Sequence, residues 1–334
     1  MNTKLRIGII GCSTIAKNST IPAIQKSEKV EVICIGSRFK EKAKEFADRF
    51  SCEDYGNYED VLKNENVDAV YISTPIGNHE EWVLKSANSG KHIICEKSST
   101  FSYNSAKKMI EVCKKNDKRI MEGFMFRFHP SHQKVKEIIN NGLIGNVYSF
   151  NGRYGFPPMP KTNIRYVKSL GGGILNDAGC YPINASRLLF DSEPKGVQCN
   201  LHIDEETEVD VKAAISMKFE SDKISHSTVA YDMFYQSIYS LWGSKGFLEL
   251  SRAYNVPPDM KATLFVKNND SENKISIEAV DHFQLMIDTF CDEIYKSKSC
   301  YYNFEKDLLN QAKVMEACRL SDKEKRYVEL EEIQ

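Results

Sequence analysis

Five short apolar runs, rich in β-branched residues, punctuate the first third of the chain: LRIGII at 5–10, VEVICIG at 30–36, VDAVYIST at 67–74, KHIICEK at 91–97 and RIMEGFMF at 119–126. Polar stretches separate them, and HEEWVLKSANSG has the spacing of an amphipathic helix ending at Gly90. Continuous apolar strands alternating with helices predict a parallel sheet covered on both faces, doubly wound by right-handed crossovers. After residue 123 the pattern changes. HQKVKEIINNGLIGNVYSFNGRYGF reads as a helix, a glycine turn and a strand, and NASRLLF as helical. VDVKAAISMKFE and ISHSTVAYDMFYQSIYSLWG alternate as half-exposed antiparallel strands do. Two helices near 281–297 and 304–323 and a short RYVEL tail follow. The expected architecture is a doubly wound α/β domain over 1–123 and an α+β domain over 124–334.

Composition narrows the function classes. At 334 residues, 41% hydrophobic and 27% charged, the chain suits a soluble two-domain protein. Lys+Arg (45) and Asp+Glu (46) nearly cancel, and no basic block interleaves with aromatics, so neither nucleic acid nor a membrane surface is an expected partner. The start has no signal-peptide pattern and no apolar run reaches bilayer length, which predicts a cytoplasmic protein. Ten scattered cysteines without a C-x-x-C pair read as reduced thiols; Cys180 reads as structural, and no zinc-ligand constellation occurs, so no metal is expected.

The first strand runs into GCSTIA, where a dinucleotide turn would read G-x-G-x-x-G. The three glycine positions hold Gly11, Ser13 and Ala16, and Cys12, Thr14 and Ile15 complete the turn. Helix N-terminal N–H groups there could hold a phosphate; a plain strand-to-helix corner fits the same string. The second strand ends in Gly36-Ser37-Arg38, with Lys42 close behind and no carboxylate at the tip. A hydroxyl followed by arginine suits a 2′-phosphate, and so NADP(H) over NAD(H). The alternative is a pair of solvated cations, opposed there by the helix dipole. The next strands end in Thr74-Pro75, with Asn78 and His79 beyond, and in Glu96-Lys97. Carboxyl ends of parallel strands are where such sheets hold ligands. A surface ion pair and a core histidine would explain the same residues.

Taken together, GIIGCSTIA, DAVYISTPIGNHEEW, GKHIICEK, EGFMFRFHP, LIGNVYSF and GGGILNDAGCYPINASRLLF, in this order along nearly the full length, resemble the glucose–fructose oxidoreductase / inositol dehydrogenase / rhizopine-catabolism family of oxidoreductases. The resemblance implies a Rossmann domain followed by an open, mostly antiparallel sheet that serves as substrate platform and oligomer interface, in a homodimer or homotetramer. It implies that Lys97, in the family's Glu-Lys-Pro motif, lies beside nicotinamide and substrate, and that Asp177 and Tyr181 form the second-domain motif. Ser98 replaces the motif's proline and Ser13 the second fingerprint glycine. Tyrosine at 181 points to the branch with dihydrodiol and xylose dehydrogenases and nucleotide-sugar ketoreductases, which favours NADP.

The implied chemistry is hydride transfer at a hydroxyl or keto carbon of a sugar or nucleotide sugar, with Lys97 and Tyr181 relaying the proton. A free phenol is a poor base at neutral pH, and a neighbouring ammonium lowers its pKa. If Asp177 and Tyr181 share a helix, their spacing puts them on one face; Pro182 counts against a straight one. Arg127, His129, Arg153, Tyr154 and Arg165 are candidate substrate contacts, and 155–173 reads as a long loop suited to a lid. The alternatives are a dehydrogenase of free aldoses, polyols or dihydrodiols, and a dinucleotide-binding sensor without turnover, which would have no need of a proton relay.

Overall fold

The computed structural model describes residues 4–295 and 302–334. The chain divides into two compact units, Met1–Met125 with Phe283–Leu309, and Phe126–His282 with Asn310–Gln334. In the first, strands β1 (Leu5–Ile10), β2 (Val30–Gly36), β3 (Asp54–Gly56), β4 (Ala69–Ile72), β5 (His92–Cys95) and β6 (Ile120–Glu122) form a parallel sheet in the order β3-β2-β1-β4-β5-β6. Helices α1 (Ile21–Lys26), α2 (Lys40–Phe50), α3 (Tyr58–Lys63), α4 (His79–Asn88) and α5 (Tyr103–Lys115) alternate with the strands. This is the doubly wound arrangement the apolar runs predict. Ile9, Ile10, Val70, Tyr71, Ile72 and Ile93 are buried, as strands covered on both faces require. The three-residue β3, DYG, is too short and polar to carry an apolar signature. Its position is set by Asn57, which caps α3 in a reciprocal box with Asp60.

The second unit contains α6 (Pro130–Asn140), β7 (Val147–Gly155), α7 (Cys180–Phe190), β8 (Gly196–Ile203), β9 (Asp210–Lys218), β10 (Ile224–Ala230), β11 (Gln236–Gly243), β12 (Gly246–Ser251), β13 (Ala262–Asn268), β14 (Glu272–Ile277) and β15 (Val328–Glu329). Its sheet runs β14-β13-β12-β11-β7-β10-β9-β8-β15. Alternation is clear on β9, where Ala213, Ile215 and Met217 are buried between exposed or half-buried neighbours. The consecutive segments ISHSTVA and QSIYSLWG do not form a hairpin. Strand β7 lies between them, parallel to β10 and antiparallel to β11. The sheet is therefore mixed and mostly antiparallel.

Two helix starts share one device. Ala16–Thr20 and Leu175–Gly179 are wide π-type turns, each followed by an α-helix with proline in its first turn, Pro22 in α1 and Pro182 in α7. Proline has no N–H for the carbonyl four residues back. The turn widens instead, and Ile21 N–H reaches Ala16 O while Cys180 N–H reaches Leu175 O. Asp177 thus sits in the wide turn and Tyr181 in the first α-turn after it.

The expectation of an unbroken second domain over 124–334 differs from the structure, because Phe283–Leu309 packs in the first unit. This segment holds most of α8 (His282–Tyr295) and the start of α9 (Phe304–Glu324). Asp292 pairs with Lys29 at 2.8 Å, Ser27 hydrogen-bonds Asp288, and Glu305 pairs with Arg119 at 2.7 Å. These contacts span hundreds of residues and leave no local pattern. Among the described residues no helix is long and apolar enough to cross a membrane.

The wide turn at 175–179 is held by Asp210, whose Oδ2 accepts Leu175 N–H at 2.6 Å. Gly173, with φ +117°, makes room for that carboxyl. Burial pushes the Asp210 carboxyl up to about 6, against roughly 3.9 when unfolded. Folding therefore favours its protonated form. The associated stability is present below the unfolded pKa and is lost as pH rises through the folded one. Asp210→Asn should match the wild-type urea midpoint near pH 3.5 and exceed it at about pH 7.5. A difference that stays constant between the two pH values would remove this assignment.

Candidate active site

The first unit presents its chemistry at the carboxyl ends of β1, β2, β4 and β5. Gly11 follows β1 with φ +112°, and a Cβ there would lie 3.0 Å from the Ser73 carbonyl carbon and the Thr74 nitrogen. Only glycine allows this approach. Ser73 Oγ donates to Gly11 O at 2.8 Å, Ser13 Oγ donates to Ser73 Oγ at 2.9 Å, and Ala16 N–H donates to Ser13 Oγ at 3.1 Å. The serine in place of the second fingerprint glycine is thus bonded inside the turn. Thr14 is exposed and Ile15 half-buried. Cys12 Sγ lies 3.7 Å from Gly36 O, and burial raises its thiol to about 11, so it is an unreactive filler between β1 and β2. Thr74 Oγ1 is buried and has no partner in the fold.

At the end of β2, Ser37 is buried and its Oγ accepts Phe39 N–H at 3.3 Å. Arg38 is exposed, with its guanidinium 5.8 Å from the centroid of the exposed Phe39 ring. Burial raises the Tyr58 phenol, and Arg38 beside it pulls the pKa back. Lys42 is exposed in the first turns of α2.

Lys97 follows β5 in a loop whose neighbours are tied on several sides. Its peptide with Ser98 is cis. Glu96 Oε1 accepts Tyr71 Oη–H at 2.5 Å, and Tyr71 Oη accepts Thr20 Oγ1–H at 2.8 Å. Burial raises the Glu96 carboxyl, while Tyr71 and Lys97 pull it down. Ser99 N–H donates to Glu122 Oε1 at 2.8 Å. His79 is buried; its Nε2 lies 2.7 Å from Thr74 O and its Nδ1 3.1 Å from Ser98 O. The ring joins the loops after β4 and β5, so it is a core histidine with both nitrogens engaged rather than an open cofactor contact. Pro75 opens the short turn Ile76–Asn78, and Asn78 is half-buried at its end.

In the second unit Arg165 Nε donates to Asp177 Oδ2 at 2.6 Å, and Tyr231 Oη approaches the same oxygen at 3.4 Å. The Asp177 charge raises the Arg165 pKa further. Burial raises the Tyr231 phenol above its ordinary value. The buried Tyr181 ring meets Tyr154 edge-on at 5.2 Å, with Phe126 and Tyr254 each at 5.7 Å. Asp177, Tyr181, Arg165 and Tyr154 are therefore brought into one neighbourhood.

The other three candidates are placed differently. Arg153 is exposed on the opposite sheet face from Tyr154, as consecutive residues of a strand must be. His129 is buried, and its Nδ1 accepts Ser131 N–H at 3.1 Å as the cap of α6. Arg127 donates to Asn184 Oδ1 at 2.9 Å, beside a network in which Gln311 bonds Asn184, Arg187 and the Cys180 carbonyl. No sequence pattern singles out Tyr71, Thr20, Ser73 or Tyr231 as part of the site. The one signal for Tyr71 was a hydroxyl inside the otherwise apolar AVYI. Among the described residues no cluster of three His, Cys, Asp or Glu could hold a metal ion.

Comparison with known proteins agrees with this arrangement. Residues 5–124 match the family model described as an oxidoreductase family with an NAD-binding Rossmann fold, and residues 132–249 match the GFO/IDH/MocA C-terminal domain. The chain is 30% identical to a dTDP-3,4-didehydro-2,6-dideoxy-alpha-D-glucose 3-reductase from Saccharopolyspora spinosa, covering 88% of this chain and 89% of that one. It is 31% identical to a D-xylose 1-dehydrogenase (NADP(+)) from Haloferax volcanii, over 86% and 88% of the two chains. A 3-ketoreductase from Actinomadura kijaniata, solved with NADP and TDP-benzene, superposes with a TM-score of 0.91 at 29% identity, covering 96% of this chain and 98% of that one. That enzyme has also been solved with a tyrosine replaced by phenylalanine and with a lysine replaced by alanine. With a nucleotide-type turn, a tied Glu-Lys strand end and an Asp-Tyr helix start all in place, the chain belongs to the GFO/IDH/MocA family of oxidoreductases.

Proposed function

We propose that this enzyme is an NADP(H)-dependent reductase or dehydrogenase acting at a hydroxyl or keto carbon of a sugar or nucleotide sugar. The reading is carried by the likeness, over 96% of the chain, to a 3-ketoreductase solved with NADP and TDP-benzene. Features of the fold support the cofactor. Gly11 makes the tight turn after β1 that only glycine allows, the Thr74 hydroxyl is buried without a partner, and Arg38 is exposed at the end of β2. The turn 11–15 would hold the pyrophosphate; Ser37, Arg38 and Lys42 would hold the 2′-phosphate. The likeness to a xylose dehydrogenase keeps free aldoses as a second substrate class. Retention of Lys97, Asp177 and Tyr181 argues against a sensor.

Bound NADPH would supply the hydride. The chain's own task is the proton at the substrate oxygen. Tyr181 gives it up on reduction and takes it on oxidation, and Lys97 donates a hydrogen bond to the same oxygen. In this reading a Lys97 ammonium beside the phenol would favour the phenolate, which a free tyrosine does not form at neutral pH. Arg165 neutralises Asp177, so that its carboxylate orients hydroxyl groups without repelling them. Self-association is part of the same reading and is supported by Trp242, exposed on β11, with Phe247 and Phe265 on the same sheet face.

Titration with NADPH and NADH, followed by nicotinamide fluorescence, should give a clear preference for NADPH. Arg38→Ala should weaken NADPH by about tenfold or more and leave NADH nearly unchanged; equal loss for both would remove the 2′-phosphate assignment. Lys97→Ala and Tyr181→Phe should each lower kcat by roughly 100-fold or more while cofactor affinity stays near wild type. Near-normal kcat in either variant, on a substrate the wild type turns over, would rule out the relay.

A further inference from the structure

Strand β4 is four residues long and buried throughout, and its third residue carries a phenol. Tyr71 is fully buried, so its hydroxyl is costly there unless bonded. It is bonded on both sides and in one direction. Thr20 Oγ1–H donates to Tyr71 Oη, and Tyr71 Oη–H donates to Glu96 Oε1. Thr20 closes the wide turn after Gly11, Tyr71 sits in the central strand, and Glu96 is the residue before Lys97. The chain of bonds therefore runs from the turn after β1, through the sheet, to the strand end that carries the lysine. The Glu96 carboxylate also accepts the Lys97 backbone N–H. Thus the group that Tyr71 fixes is in contact with the Lys97 peptide itself.

We propose that Tyr71 is a positioning residue: its hydroxyl fixes the Glu96 carboxylate, and that carboxylate holds Lys97 in place as an oriented ammonium. The proposal rests on the reading of Lys97 as the proton-relay lysine. The titratable groups around Glu96 and Lys97 are Tyr71 from β4, Cys95 from their own strand end, His79 from α4, which faces Lys97, and Glu122 from β6, which acts on the same Cys95 thiol. Of these, Tyr71 gives the stronger of the two hydrogen bonds that favour the ionised carboxylate, ahead of the Lys97 backbone N–H. Without the hydroxyl, Glu96 is a buried acid without its side-chain donor, and burial favours its protonated form. Lys97 then loses the negative charge beside it.

The test is Tyr71→Phe, which removes one oxygen and keeps the ring. The readout that needs no substrate is the Lys97 pKa, from NMR titration of the reductively methylated protein with Lys97→Arg identifying the resonance. The expected result is a fall of about one unit in Tyr71→Phe, a similar fall in Glu96→Gln, and little further change in the double variant. In turnover, kcat should fall about tenfold or more, with its alkaline limb moved to lower pH, while the NADPH Kd and sugar KM stay within about threefold. A wild-type Lys97 pKa in Tyr71→Phe, or additive effects in the double variant, would overturn the proposal. A Lys97 shift in a protein that reduces no sugar would uphold the Tyr71–Glu96–Lys97 coupling and count against the proposed function alone.

Discussion

The backbone of Gly11 lies so close to the Ser73–Thr74 peptide that a single added carbon would come within 3.0 Å of it. This approach sets the spacing between the ends of β1 and β4, at the point where the strand order of the sheet reverses. The Ser13–Ser73 bond, the Thr74 carbonyl that His79 faces, and the passage of Tyr71 from Thr20 to Glu96 all lie on or beside that junction. A bulkier residue at 11 would disturb each of them, because they share the same two strands.

Around that junction the first unit uses buried hydrogen bonds where a simpler α/β core would use methyl groups. Such bonds add little net stability one by one, but a buried group left unmade is costly. Their collective effect is to leave few alternative positions for the loop after β5. The second unit reaches a comparable result by other means. Aromatic rings from β7, the segment before α6 and the segment after β12 surround Tyr181, while a carboxyl, Asp210, holds the wide turn that carries Asp177.

Much of the fold was legible because its signals are local. Period-two alternation in β9, the apolar runs of β1 and β4, and glycine or proline punctuation each depend on a few adjacent residues. The return of Phe283–Leu309 was not legible, since Lys29 has no local feature that names Asp292 as its partner. The site divides in the same way. Lys97, Asp177 and Tyr181 stood out by motif, and Arg165 met Asp177 as a loop arginine near a carboxylate can. Arg153 and Tyr154 were adjacent in sequence and equally attractive. Strand geometry sends them to opposite faces, which residue type alone cannot reveal. His129 looked like a polar contact, but a histidine before proline also suits a helix cap, and that is where it is used. Pro182 argued against a straight helix, and the wide turn before it is the physical form of that objection.

The way the chain leaves the first unit at Met125 and re-enters it at Phe283 bears on how the protein is born. A ribosome completes the six parallel strands long before it reaches Asp288, Asp292 and Glu305, the partners of Ser27, Lys29 and Arg119. Chains fold as they are synthesised, N-terminal domains first. Here the earliest part to emerge must keep an uncovered flank until nearly the last residues are made. The nascent first unit is therefore an incomplete body for most of its synthesis, and a truncation that removes Phe283–Leu309 takes contacts from the N-terminal strands.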